Sequence, residues 1–170
     1  VSRVTDFSWA DELWSRCRDL HRIWVARTTP FLSWRYGQRP ETTYTTWLAR
    51  SEGDVAGYAI TRLESFRGFE ALFLMDFVVD TGVPGATDAL LGAVIGEATE
   101  AGAEVACALV PPGTPYRPAF LRHLFLPLPE RLFPKELHLR GRVLDSAAID
   151  ESLFLDPEAW YLTWGDDDVP

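Results

Sequence analysis

Residues 71–101 read ALFLMDFVVDTGVPGATDALLGAVIGEATEA, and this stretch decides the fold. Ala71 to Val79 is apolar apart from Asp76. A nearly continuous apolar run predicts a central strand covered on both faces, because a half-exposed strand would alternate. Asp80 to Thr87 contains Gly82, Pro84 and Gly85 and reads as a loop. From Asp88 to about Ala101, Leu90, Leu91, Val94, Ile95 and Ala98 recur at helical spacing, and Gly102 closes the helix. Glu104 to Val110 reads as the next strand. A helix between two strands of one sheet forces a parallel pairing, since a parallel neighbour needs a crossover.

Upstream lie two further strands. Tyr44 to Ser51 is rich in Thr, Trp and Tyr, which suit a pleated surface. Val55 to Leu63 alternates. The turns Glu52-Gly53-Asp54 and Arg67-Gly68 join these strands and the central one into an antiparallel meander. Ser8, with Asp11 three residues on, reads as the cap of a first helix along which Trp9, Leu13, Cys17, Leu20 and Trp24 form one apolar face. Thr29-Pro30 opens a short second helix. Tyr116 to Leu124 reads as another short helix, and Leu126 to Leu139 and Trp160 to Trp164 as strands in Pro-rich surroundings. The expected fold is mixed α/β: a central sheet with an antiparallel meander and one parallel pairing, flanked by helices, in one domain over residues 1–170.

Composition supports a packed domain. Of the 170 residues, 47% are apolar, with 7 Trp and 10 Phe, enough to fill one core. A net charge of −9 argues against nucleic acid and anionic membranes as partners. No apolar run approaches the roughly 18–20 residues of a membrane span, so no membrane association is expected. Cys17 and Cys107 form no CxxC pattern, and His21, His123 and His138 share no ligand spacing, so neither a disulfide framework nor a metal site is expected. The expected compartment is the cytoplasm.

Several segments carry a resemblance. Arg27-Thr28-Thr29-Pro30-Phe31-Leu32-Ser33-Trp34-Arg35-Tyr36 resembles an R-x-x-x-F/Y-L-x-W-R-Y stretch. Val55-Ala56-Gly57-Tyr58-Ala59 resembles a hairpin strand GxVxGY. Leu74-Met75-Asp76-Phe77 resembles a central-strand acidic motif. Asp156-Pro157-Glu158-Ala159-Trp160-Tyr161-Leu162-Thr163-Trp164-Gly165-Asp166 resembles a closing motif. In this order they resemble a bacterial branch of the GNAT superfamily, the acyl-CoA N-acyltransferases. A domain of that family begins with a strand, yet only Val1 to Val4 precede the first helix. The expectation is a first strand cut away, or a chain that is the second half of a tandem protein, with an upstream GNAT domain or a homodimer as its setting.

The resemblance implies a site. In this family the central strand splays from its neighbour and pairs with the pantetheine arm of acetyl-CoA, here at Phe77, Val78 and Val79. The following loop cradles the diphosphate with backbone N–H groups, here at Gly82, Gly85, Ala86 and Thr87. Gly85 fits the family's first glycine. Gly82 stands where Arg or Gln is usual, Thr87 stands where Gly or Ala is usual, and Pro84 removes a donor. Asp76, a carboxylate in an apolar strand, is the candidate base; its structural alternative is a pair with Arg35 or a backbone donor. Phe120 takes the position of the family's proton-donating Tyr, which leaves Tyr116 as the candidate acid. Trp34, Arg35 and Tyr36 are the candidate acceptor-binding residues, with Arg35 expected to pair with a carboxylate. The Asp166-Asp167-Asp168 run reads as a solvated tail. The implied activity is acyl transfer from acetyl-CoA to a small amine, an amino sugar being the suggested acceptor. The alternative is a non-catalytic GNAT-fold module.

Overall fold

The computed structural model describes residues 1–66, 68–129, 142–145 and 147–167. A five-stranded sheet runs in the order β1 (Ser2–Val4), β2 (Thr45–Ser51), β3 (Asp54–Phe66), β4 (Phe69–Val79) and β5 (Val105–Ala108). The first four are antiparallel neighbours, and β5 lies parallel to β4. The sheet is therefore mixed, as the crossover requires. Its helices are α1 (Ala10–Cys17), α2 (Thr29–Leu32), α3 (Ala86–Glu100), α4 (Arg117–Arg122) and α5 (Glu151–Phe154). Among the described residues, no helix is long and apolar enough to cross a membrane.

Helix α3 is the crossover between β4 and β5. Gly85 adopts φ +79° at its start, a left-handed conformation that glycine reaches without steric cost. Leu90, Leu91 and Val94 are fully buried against the sheet. Burial of such side chains contributes about 1.5–3 kcal/mol each. Glu97 ties the helix down: its Oε2 accepts from Trp47 Nε1 at 2.7 Å and Thr61 Oγ1 at 2.6 Å. The opposite face of the sheet packs under α1, α2 and the C-terminal segment, with Leu13, Leu32, Tyr58, Phe73 and Trp164 in that second core.

The strand β4 changes face part-way. Thr61 pairs with Leu74 and Ile60 with Asp76, so Met75 is an extra residue, a β-bulge. Before it, Leu72 and Leu74 face α3; after it, Phe77 and Val79 do. Asp76 is thereby carried to the face of α1 and α2, where strict alternation from Leu72 and Leu74 would not place it.

Several sequence expectations change. The first strand is present, because Ser2, Arg3 and Val4 pair with Leu48, Trp47 and Thr46. The first helix stops at Cys17, short of Trp24, because Ile23 is drawn into a parallel bridge with Trp160. Ile23 N donates to Ala159 O and Tyr161 N donates to Ile23 O, both at 2.9 Å. Ser8 does not cap α1; its N–H and hydroxyl both bond to Asp6 Oδ1. The segment expected as a strand at Trp160 to Trp164 makes only that bridge, followed by a 3-10 turn at Trp164–Asp166. Of the span from Leu126 to Leu139, the part beyond 129 lies outside the described residues, as do His138 and Asp168.

Candidate functional site

The β4–β5 ladder runs from Ala71–Val105 to Leu74–Ala108, and no described pairing continues it. Beyond Leu74, the edge of β4 turned away from β3 carries the backbone groups of Phe77 and Val79, while Asp80 N bonds to Ala56 O of β3. This is where the family resemblance places the pantetheine arm. The chain's own side chains occupy the edge. Phe77 N donates to Asp76 Oδ1 at 2.9 Å. Phe77 O accepts from the Tyr161 hydroxyl. The Tyr116 hydroxyl accepts from Val79 N at 3.1 Å and donates to Val79 O at 3.0 Å. What remains between Leu74, Phe77, Tyr116, Phe120 and Tyr161 is a cavity of about 10 Å³, at the lower limit for one water molecule.

On the other face of the sheet sits a buried ionic cluster. Asp76 is 0% exposed and Arg27 1%. Arg27 Nε lies 2.8 Å from Asp76 Oδ2, and its Nη2 lies 2.6 Å from Asp166 Oδ2. Tyr36 donates to Asp76 Oδ2 at 3.2 Å. Thr163 closes the cluster, its N–H donating to Asp166 Oδ2 at 2.9 Å and its hydroxyl to the same oxygen at 3.0 Å. One guanidinium thus bridges two carboxylates. Burial pushes the Asp76 carboxyl above the usual range, with Arg27 opposing and Asp166 adding to the rise. Burial likewise holds the phenols of Tyr36, Tyr116 and Tyr161 above their usual range.

Asp76 pairs with Arg27 and a backbone donor, so the expected Arg35 partner is corrected. Arg35 instead bonds to backbone carbonyls; Nε donates to Gly165 O at 2.8 Å and Nη2 to Asp167 O at 2.9 Å. The reason is geometric: the C-terminal turn presents its carbonyls to the helical turn Ser33–Gly37 that follows α2. Trp34, Arg35 and Tyr36 are not brought together as a pocket wall. Trp34 is 60% exposed, whereas Arg35 and Tyr36 point into the core. The solvated-tail reading is also corrected, for Asp166 is a buried partner of Arg27.

The loop after β4 is internally bonded. Gly82 N donates to Asp80 Oδ1 at 2.9 Å, Val83 N to Asp80 O at 3.0 Å and Ala86 N to Val83 O at 3.4 Å. Asp80 Oδ2 takes Arg16 Nε at 3.1 Å, so a carboxylate holds both a loop amide and the neighbouring cation. Gly85 is exposed, Ala86 buried and Thr87 half-buried at the start of α3. Asp88, on its first turn, binds Arg122 Nη2 at 2.9 Å and lies 3.1 Å from His123 Nε2.

His21 stacks on Tyr161, with ring centroids 4.0 Å apart and planes at 9°. Burial, and next the charge of Arg27, push its pKa down to about 4. Unfolded His takes up a proton near 6.5, so between that pH and about 4 the unfolded chain binds more protons. Stability conferred by the neutral ring is expected to be lost as pH falls through this window. A proton NMR titration of the His21 ring checks it; a midpoint near 6.5 in the folded chain refutes it.

No protein-family model and no curated protein matches the sequence. Solved structures do match. An aminoglycoside acetyltransferase from an uncultured soil metagenomic sample, solved with trehalose and with sisomicin, aligns at TM-score 0.55 and 15% identity, covering 84% of this chain and 94% of that one. The chain has the GNAT fold. A protein of Bacillus halodurans aligns at TM-score 0.57 and 14% identity, covering 84% of this chain and 98% of that one. A Thermus thermophilus protein aligns at 0.50 and 19%, covering 86% and 99%. This chain covers 94–99% of the length of each of these solved chains.

Sequence reasoning missed Arg27, Tyr161 and Thr163 as parts of the site. A signal was present: Arg27 opens one family-like segment and Asp166 closes another, a charge pair at the two ends of apolar stretches. Asp80 was read only as the start of a loop, and nothing in its local spacing marks the bond to Arg16 in α1.

Proposed function

We propose that the chain serves as a GNAT-fold module whose donor groove is filled by its own side chains, and that it does not take acetyl-CoA in this conformation. One observation carries this reading: the backbone groups of Phe77 and Val79 on the free edge of β4 are already bonded to Asp76, Tyr161 and Tyr116. A pantetheine arm pairing there would have to displace buried hydrogen bonds and occupy a space of about 10 Å³. The Gly82 amide of the following loop is likewise already taken, by the Asp80 carboxylate, rather than free for a diphosphate. As a module it would act beside a second GNAT domain of the same protein or a second copy of itself.

A second reading is an acyl-CoA-dependent N-acyltransferase acting on a small amine, an amino sugar being one candidate. It is favoured by the match to an aminoglycoside acetyltransferase over 94% of that chain and by the Tyr116 hydroxyl bonding to β4 at Val79, three residues from Asp76. In it, Asp76 is the base and Tyr116 the acid, and acetyl-CoA meets Phe77, Val78 and Val79, then Gly82, Gly85, Ala86 and Thr87. Of the residues expected at the acceptor, only Trp34 is exposed to meet one.

Thermal unfolding with millimolar acetyl-CoA separates the two. The module reading expects no shift in Tm. A single-site ligand at 100 times its Kd would add about 2.7 kcal/mol, which a melt resolves easily. A clear upward shift overturns the module reading. Thiol release with amine acceptors, lowered by Asp76→Asn and by Tyr116→Phe, would then establish the second.

A further inference from the structure

Val105 to Val110 is apolar throughout, a pattern that suits a strand covered on both faces inside a sheet. Its place in the fold is different. β5 stands last in the sheet order, and among the described residues only β4 pairs with it. All six residues are half-buried. The segment Trp160–Trp164 bridges to Ile23 and adds no described pairing to β5. Beside the outer edge runs a groove of about 440 Å³, walled by β5, by residues between Phe120 and Leu128, and by Trp164. That volume is typical of binding sites. Leu121, Leu124, Leu126 and Leu128 along it are 43–79% exposed. Leu124, just past the end of α4, adopts φ +62° and is the most exposed of the four. Glycine is the usual residue at such a position, and a leucine there is strained. The strain contributes nothing to the core, so it marks a surface where apolar bulk is wanted. Arg117 also lines the groove; it is exposed and makes no hydrogen bond or ion pair among the described residues.

We propose that this groove receives an extended segment of another polypeptide, which adds a sixth strand to β5 and meets Arg117 with a carboxylate. Three features select that occupant. The backbone N–H and C=O groups of β5 that point away from β4 need hydrogen-bonding partners, and a strand supplies them. An acyl chain in the same place would cover those groups without pairing them. Apolar residues flank the edge on both faces: Cys107 and Leu109 pack with the core of Trp164, Ala106 and Ala108 with that of Phe120. An added strand sends alternate side chains to these two faces. Arg117 supplies the complementary charge for a carboxylate. The proposal goes beyond the filled-groove reading and does not rest on it, because the closed edge of β4 lies on the other side of β5.

A pool of random peptides of about eight residues, with free C-terminal carboxylates, selected on the full chain, tests this. Enriched sequences are expected to alternate apolar residues. Cys107 reports occupancy, because it lines the groove half-buried while Cys17 is fully buried. Iodoacetamide is expected to alkylate Cys107 in the free folded chain, and a bound peptide to slow it. N-methylation of alternate amides in the best peptide is expected to abolish binding. Arg117→Ala and amidation of the peptide's end are each expected to weaken it about fivefold, with little further loss when combined. Leu124→Gly is expected to raise Tm, by relieving the strained backbone, while weakening the peptide. No enrichment overturns the proposal, as does binding that survives both N-methylation and Arg117→Ala. Dodecanoate protecting Cys107 where peptides do not assigns the groove to an acyl ligand instead. Cys107 unreactive in the free folded chain shows the edge already covered, and also overturns it. The acetyl-CoA melt tests the β4 edge separately, so the two readings fail independently.

Discussion

Replacing Arg27 by methionine is expected to destabilise the folded chain by about 3–5 kcal/mol at neutral pH, the cost of breaking a buried ion pair from one side. Arg27 is 1% exposed and stands between Asp76 and Asp166, at 2.8 and 2.6 Å. Methionine fills much of the same volume, so little of the loss comes from packing. What remains is a pair of carboxylates in one buried site with no guanidinium between them. The pH dependence follows. Burial already holds Asp76 above the usual carboxylate range, and Arg27 opposes that rise. Without Arg27 the rise is larger, so the folded variant takes up a proton at a higher pH than the unfolded chain does. Its deficit is therefore largest near pH 7 and narrows as pH falls toward the unfolded carboxylate value of about 4. Urea unfolding of both proteins at pH 7 and pH 5 measures this. A loss below 1 kcal/mol, or a gap that widens in acid, would show that the cluster is not the ionic hub of the domain.

Tyr116→Phe is expected to cost about 1–3 kcal/mol, because it strands the N–H and the carbonyl of Val79 in the core. The ring is kept, with its edge contacts to Phe77 at 5.3 Å and to Tyr161 at 6.1 Å, so the loss belongs to the hydroxyl. The adjoining cavity of about 10 Å³ offers little room for a replacement water. Urea unfolding with an unchanged m-value would mark a stability effect in an intact fold. A variant as stable as the parent would mean that Val79 finds another partner, and the closed edge of β4 would then lose its principal lock. The same variant bears on catalysis: under the module reading it changes stability alone.

The meander, the crossover helix and the parallel fifth strand were legible because each depends on local pattern. Ala71 to Val79 has to be covered on both faces, and Gly85 has to turn the chain into α3. Asp76 was legible as an anomaly, a carboxylate among apolar residues. Its partner was not, since Arg35 and Arg27 both lie in the same short stretch and nothing in their spacing says which reaches the sheet. The first helix was misread in length for a related reason. Leu20 and Trp24 keep the helical period, but Ile23 is claimed by Trp160, and tertiary pairing overrides a weak local preference. The strand Ser2–Val4 was discounted on length alone, yet three residues suffice when β2 supplies the ladder.

By itself the sequence determined the layered α/β core, the turn at Gly85 and the presence of a carboxylate, Asp76, within the apolar stretch Ala71 to Val79, because these follow from hydrophobic period and backbone sterics. Only the tertiary structure decided whether the edge of β4 at Phe77 and Val79 stands open. That answer depends on a bulge at Met75, which turns Asp76 to the face of Arg27, and on Asp166 and Tyr161 returning from the far end of the chain, Asp166 lying 139 residues beyond Arg27. Contacts at such separation are chosen by how whole elements pack, and a local pattern of residues carries no record of that choice.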